Sequence, residues 1–270
     1  MAFCEELLMM QLVANLSTLY DDLPVQARFA AARQDGFQAV EILRPYDQTP
    51  EWYAGQLQEN DLELVLINTP SISPDHPVGL AAQPGLESEF RRAMEQAAEV
   101  CRACGCPAVH VMAGRRDTHV PHDRQLQVLL ENLRWAAQQF PDLRLQLEAL
   151  NSKDMPDYFY SQPGQVAQVL EQAGQPALRM QFDFYHVIKE GLALVDSLEQ
   201  HMRWVSHIQV AGSPERHEPD LRRDTLMAGF EFLDTHGYTA LVGLEYYPRA
   251  RVADGLAWVQ PLLDSGWARF

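Results

Sequence analysis

Leu145-Gln146-Leu147-Glu148-Ala149-Leu150-Asn151 follows Pro141-Asp142 as an apolar run that ends in a carboxylate and then turns polar. Three later runs repeat the arrangement. Met180-Gln181-Phe182 leads into Asp183, Ser206-His207-Ile208 into Gln209, and Leu241-Val242-Gly243-Leu244 into Glu245. Each reads as a short buried strand with an oxygen-bearing side chain at its C-terminal end. Four such strands, about one βα unit apart, place four oxygen donors at one register.

Working outward, the upstream half carries four more strand candidates, over 13–16, 37–43, 62–67 and 107–112. Helical stretches separate them, over 25–34, 51–60 and 86–103. The last of these sets Leu86, Phe90, Met94, Ala97, Ala98 and Cys101 on one face. Further helices are predicted over 123–139, 164–172, 195–204, 221–236 and 254–263. Strands alternating with helices require parallel pairing with right-handed crossovers. Eight such units predict a closed (β/α)8 TIM barrel spanning 1–270 as a single domain, and roughly 250 residues is the usual size of that fold. No Gly-x-Gly-x-x-Gly follows any strand, which argues against an open dinucleotide-binding sheet. Residues 68–85, rich in Pro and Ser, read as a long loop of the kind that often carries function.

The formal net charge of −16 lacks the basic footprint that a phosphate backbone requires, so no nucleic-acid partner is expected. Residues 1–10 have Glu5 and Glu6 and no basic start, so they are not read as a signal peptide. No apolar run approaches the roughly 20 residues of a membrane span. A cytoplasmic protein that does not engage membranes is expected. Cys101, Cys104 and Cys106 lack the second ligand pair of a structural zinc site and read as packed, reduced thiols.

In a barrel of this kind the C-terminal strand ends make the active site. Glu148, Asp183, Gln209 and Glu245 would then converge. Taken singly, each is a polar residue satisfying a loop; in four consecutive units they point to a shared site. Three carboxylates aimed at one spot need a cation to stay ionised together. An all-oxygen set with one amide suits Mg²⁺ or Mn²⁺ better than Zn²⁺. His186, three residues past Asp183, could hydrogen-bond a substrate oxygen there. Arg216 follows the Gln209 strand and could grip a carboxylate in a bidentate fork. Glu41, between Val40 and Ile42, is read as supporting or structural. Asn68 and Met112 are pocket-wall candidates. His76, His119, His122 and His236 read as ordinary loop residues.

At these residues the chain resembles the hydroxypyruvate isomerase family of the xylose-isomerase-like barrels, and within it the 2-oxo-tetronate isomerase branch. The resemblance runs through Ala14-Asn15-Leu16-Ser17, Gly36-Phe37-Gln38-Ala39-Val40-Glu41, Val109-His110-Val111-Met112-Ala113-Gly114 and Leu147-Glu148-Ala149-Leu150. It continues through Gln181-Phe182-Asp183, His207-Ile208-Gln209-Val210-Ala211-Gly212, Arg216-His217-Glu218-Pro219-Asp220 and Gly243-Leu244-Glu245-Tyr246. The resemblance implies one divalent metal held by Glu148, Asp183, Gln209 and Glu245. It also implies that Glu148 and Glu245 move the proton in an aldose–ketose isomerisation of a short sugar acid through an enediolate. His186, Arg216 and Asn68 are the expected substrate-binding residues. Related ketose epimerases carry a His where Gln209 stands, which leans toward isomerisation.

Three segments depart from the family pattern: 71–79, 221–224, and Tyr247 in place of the usual Lys. All lie where substrate would be recognised, so a ketose 3-epimerase-like enzyme or a non-catalytic sugar-acid binder is the competing expectation. A nuclease on the same barrel would need additional histidine ligands and a basic groove. Closed homo-oligomers are common, and the sequence leaves a homo-oligomer open.

Overall fold

The computed structural model describes residues 9–223 and 225–270. The leader reading of 1–10 therefore falls almost wholly outside the described residues, as does Asp224 in the divergent 221–224 segment. Eight strands, β1 (Met10–Asn15), β2 (Ala39–Ile42), β3 (Glu63–Asn68), β4 (Ala108–His110), β5 (Arg144–Glu148), β6 (Leu178–Asp183), β7 (Val205–Val210) and β8 (Leu241–Leu244), pair in sequence order. The β8–β1 and β1–β2 pairings close the ring, and every pairing is parallel. This is the eight-stranded barrel that the alternating pattern predicts. A two-residue strand, β9 (Ala268–Arg269), adds to β1 and lies outside the prediction.

Helices α1 (Val25–Gln34), α2 (Pro50–Glu59), α3 (Glu87–Cys104), α4 (His122–Gln139) and α5 (Pro163–Ala173) lie within two residues of the predicted spans. Their ends are marked in the sequence. Thr49 caps α2 by accepting from Trp52 N–H. Gln162 and Gln165 form a reciprocal box at the start of α5, and Gly105 and Gly174 close α3 and α5 in the left-handed conformation.

The second half departs more. A helix absent from the prediction, α6 (Phe184–Glu190), follows β6 directly, capped by Asp183 and ended by Gly191. Seven residues are too few to show a periodic stripe. The predicted 195–204 helix is α7 (Leu194–His201) followed by a 3₁₀ turn over Met202–Trp204. The predicted 221–236 helix starts later, as α8 (Leu226–Thr235). The last predicted helix is broken into α9 (Val252–Gly255), a 3₁₀ turn and α10 (Gln260–Asp264).

The strands sort their side chains with period two. Leu145 and Leu147, Met180 and Phe182, Ile208 and Val210, and Val242 and Leu244 pack outward into the main core against the helices. The inner face is different. Val13, Ala39, Val65 and Ala108 form a small apolar plug, packed with Leu241. Beyond that plug, toward the C-terminal strand ends, the inner face turns polar. Cys101 and Cys106 are buried and Cys104 half-buried, all as free thiols, as expected from packing. Among the described residues no helix is long and apolar enough to cross a membrane.

Candidate active site at the C-terminal strand ends

Glu148 ends β5, Asp183 ends β6, and Gln209 lies beside Asp183 in the register of β7. Glu245 follows β8 by one residue and is tied to β7 by its N–H to the Val210 carbonyl, 3.1 Å. All four are buried. The structure therefore brings together the four strand-end residues singled out in the sequence.

Two glutamines link them. Gln181 Nε2 donates to Glu148 Oε2 at 2.8 Å and to Gln209 Oε1 at 2.5 Å. Gln209 Nε2 donates in turn to Glu245 Oε2 at 2.6 Å and to Glu41 Oε1 at 2.8 Å. Arg216 reaches in from the loop after β7. One of its terminal nitrogens hydrogen-bonds Glu245 Oε1 and lies 3.5 Å from Asp183 Oδ2, while the guanidinium stacks 5.0 Å from the Tyr185 ring centre.

His186 sits on α6, with Nε2 3.6 Å from Asp183 Oδ2 and 3.8 Å from Glu148 Oε1. Its Nδ1 accepts from the Asn151 backbone N–H at 3.0 Å. A backbone N–H can only donate, so Nδ1 is the acceptor and the ring hydrogen sits on Nε2, facing the carboxylates. Burial holds the imidazole well below its ordinary pKa, in its neutral form. His110 on β4 is a further buried neighbour, with Nδ1 3.3 Å from Glu148 Oε2 and a pKa lowered by burial to about 3. Asn68 ends β3 with its Oδ1 buried and unbonded, and no hydrogen bond connects its side chain to this cluster among the described residues.

The electrostatics are those of an unneutralised acidic pocket. Burial pushes the Glu148 carboxyl well above the usual range, and Glu245 and Asp183 add to the shift. Burial raises Asp183 to about 6, against the opposing pull of Arg216. Glu245 rises to about 8 for the same first reason. Burial works against the Arg216 charge, but Glu245, Asp183 and Glu148 outweigh it and keep the guanidinium protonated. Arg216 offsets part of the carboxylate crowding at Asp183 and Glu245. Asp183 Oδ2 is buried with no hydrogen-bond donor. Glu148, Asp183 and His186 offer atoms that all lie within 4.8 Å of one another. The two carboxylates of this group are oxygen ligands of the kind a hard divalent cation takes, and the strand-end neighbours Gln209 and Glu245 carry further oxygens. His186, with its hydrogen on Nε2, faces that place as a donor.

Sequence reading underrated Glu41 and passed over Gln181 and His110. The signal was present as a residue two places before each strand end. Gln181 precedes Asp183 by two, and His207 precedes Gln209 by two, so each pair shares the inner face. A cleft of about 550 Å³, lined by Gln11, Arg33, Gln38 and Arg269, lies at the opposite end of the barrel and contains none of these groups.

The profile of the family described as "Xylose isomerase-like TIM barrel" matches residues 29–262. The 2-oxo-tetronate isomerase of Cupriavidus necator is 36% identical over 260 residues, which covers 94% of this chain and 99% of the relative. The hydroxypyruvate isomerase of Escherichia coli K12 is 31% identical over 256 residues, covering 94% and 99%. Among solved structures, one from Brucella melitensis described as an AP endonuclease of family 2 superposes with a TM-score of 0.89 at 32% identity. It covers 94% of this chain and 99% of that one. A D-allulose 3-epimerase from Methylomonas reaches a TM-score of 0.80 at 13% identity, over 96% and 98%, which is a likeness of fold alone.

Proposed function

Since the chain belongs to the xylose isomerase-like TIM barrel family, we propose that it is a divalent-metal-dependent isomerase of a short sugar acid. The substrate class is hydroxypyruvate with its aldehyde isomer, or a 2-oxo-tetronate. Isomerase relatives matched along nearly their whole length support the reaction class. The observation that carries the mechanism is the pair Glu148 and Glu245, both buried and both tuned upward by burial, joined through Gln181 and Gln209.

Glu148, Asp183, Gln209 and Glu245 would hold the cation, each through a side-chain oxygen. When bound, a divalent cation polarises a carbonyl and its neighbouring hydroxyl and so makes the α-hydrogen more acidic. One glutamate takes that proton onto a carboxylate oxygen, giving an enediolate; a proton returns at the adjacent carbon with the other carboxyl as its carrier, and the hydroxyl proton passes to the former carbonyl oxygen. A carboxylate pKa raised toward neutrality suits this two-way traffic. His186 Nε2–H is placed to donate to a substrate oxygen. Arg216, which hydrogen-bonds Glu245 and lies beside Asp183, would attract the substrate's own carboxylate.

The test is incubation of the protein with hydroxypyruvate and with a 2-oxo-tetronate in D₂O, with and without Mn²⁺, followed by NMR. Interconversion with deuterium at the carbon that gains hydrogen, lost on chelation, supports the reading. Turnover undiminished after stripping the metal overturns the metal's part in it. A ketose epimer as the sole product reassigns the reaction.

A further inference from the structure

Gly243 occupies a place where a side chain is excluded by its neighbour. A Cβ there would stand 2.5 Å from Glu41 Oε1 and 2.8 Å from its carboxyl carbon, so even alanine would collide with that carboxylate. Strand β1 separates β2 from β8, and Glu41 extends across the barrel interior into the space Gly243 leaves. There it is buried and fully engaged. Its Oε1 accepts from Asn15 Nδ2 at 3.0 Å and from Gln209 Nε2 at 2.8 Å. Its Oε2 lies 2.9 Å from His207 Nε2.

The consequence falls on Gln209. A primary amide has an oxygen end and a nitrogen end of nearly equal size, and only its surroundings choose between them. Here the nitrogen meets Glu41 and Glu245 while the oxygen meets the Gln181 donor. Reversing the amide would set oxygen against two carboxylates and nitrogen against nitrogen, losing three hydrogen bonds at once. Two acceptors enforce the orientation more strongly than Glu245 alone, and Glu245 has other work in the proposed reaction.

We infer that Glu41 is a positioning residue that, in the room left by Gly243, fixes the Gln209 amide with its oxygen turned to the Glu148 side of the site. The inference rests on the proposed role of Gln209 as an oxygen donor to a divalent cation. Partners of this kind, one step behind a metal ligand, typically change metal affinity or activity by about 10- to 100-fold when removed.

Glu41→Leu, Glu41→Gln and Gly243→Ala in the full chain test it, with Mn²⁺ affinity of the metal-stripped protein read by calorimetry alongside thermal melting, kcat and KM. Glu41→Leu is expected to weaken Mn²⁺ binding about 10- to 100-fold and to lower kcat more than it raises KM. Gly243→Ala, which leaves Glu41 in place but displaces its carboxylate, is expected to shift the same way. Glu41→Gln keeps an oxygen for the Gln209 amide and is expected to restore Mn²⁺ affinity to within about threefold of the unmodified protein. Folded Glu41→Leu or Gly243→Ala protein with unchanged Mn²⁺ affinity overturns the inference and leaves the metal reading standing. Glu41→Gln as weak as Glu41→Leu also overturns it, since charge and not orientation would then be the cause. If the unmodified chain binds no Mn²⁺, the metal reading and this inference fall together.

Discussion

Gln181 Nε2 stands 2.5 Å from Gln209 Oε1, and the same nitrogen donates to Glu148, so two amides on adjacent strands span the gap between the two glutamates. Both hydrogens of Gln181 are used on these acceptors, while its own Oε1 is buried without a partner. The link is thus held by donors on one side only. Gln181→Met should leave Glu148 Oε2 and Gln209 Oε1 short of a donor in a buried setting. Loss of about 1–3 kcal/mol of stability is expected, with kcat down by about tenfold or more. Denaturant melts and initial-rate kinetics on the same preparation check both parts.

Glu148→Gln and Glu245→Gln should each abolish turnover while the protein still folds. Glu148→Gln removes a buried group that already resists ionisation, so that metal-free variant should melt no lower than the unmodified chain, whereas Glu245→Gln also takes away the acceptor of buried Arg216 and should melt lower. Retention of near-normal rates by both variants would refute the proton-transfer roles, and exchange of the substrate α-hydrogen into D₂O shows which glutamate begins the reaction.

Stability of the metal-free protein should fall as pH rises from about 5 to 8. The sign follows from the direction of the shifts. Asp183 at about 6 and Glu245 at about 8 bind protons in the folded chain that the unfolded chain has already lost. Folding is therefore favoured below the unfolded carboxylate pKa, and that advantage disappears as pH passes through the folded values. Saturating Mn²⁺ should flatten the decline by stabilising the ionised forms. Scanning calorimetry from pH 5 to 8, with Glu245→Gln as the control lacking one of these titrations, measures it; a melting temperature that climbs over this interval would contradict the expectation.

Arg216→Leu should remove the cation that faces Asp183 and Glu245. Leaving buried charges without their partner costs about 3–5 kcal/mol, and here the cost should shrink toward pH 5 as the carboxylates protonate. Arg216→Lys should not fully restore the loss, because one ammonium cannot replace both the terminal nitrogen at Glu245 Oε1 and the Nε that donates to the Glu245 carbonyl. Melting curves at pH 5 and pH 8 distinguish the two variants.

Much of this arrangement was legible in the sequence because barrel strands advertise themselves. The outward positions Leu145, Leu147, Phe182 and Ile208 are apolar, and the turn to polar residues after each run marks the strand end where Glu148, Asp183 and Gln209 sit. The interior polar layer was harder to read. Glu41 lies between two apolar neighbours, which suits a buried strand residue whatever its partners. Its three hydrogen bonds come from Asn15, His207 and Gln209 on two other strands, the last two more than 160 residues away in the chain. Helix α6 was hidden by its brevity, and with it the reason His186 faces the carboxylates at all. The last predicted helix breaks at local signals that its apolar spacing hid, Gly255 at the end of α9 and Pro261 in the first turn of α10.

Asp183 divides its two oxygens. Oδ1 accepts from the Tyr185 N–H at 2.8 Å and starts α6, while Oδ2 is buried without a hydrogen bond, 3.6 Å from His186 Nε2 and 3.5 Å from Arg216. The carboxylate and the first turn of the helix are therefore one mechanical unit. Rotating Asp183 toward or away from a guest would strain the turn that carries His186, so occupancy at the rim and the aim of the imidazole are geared together.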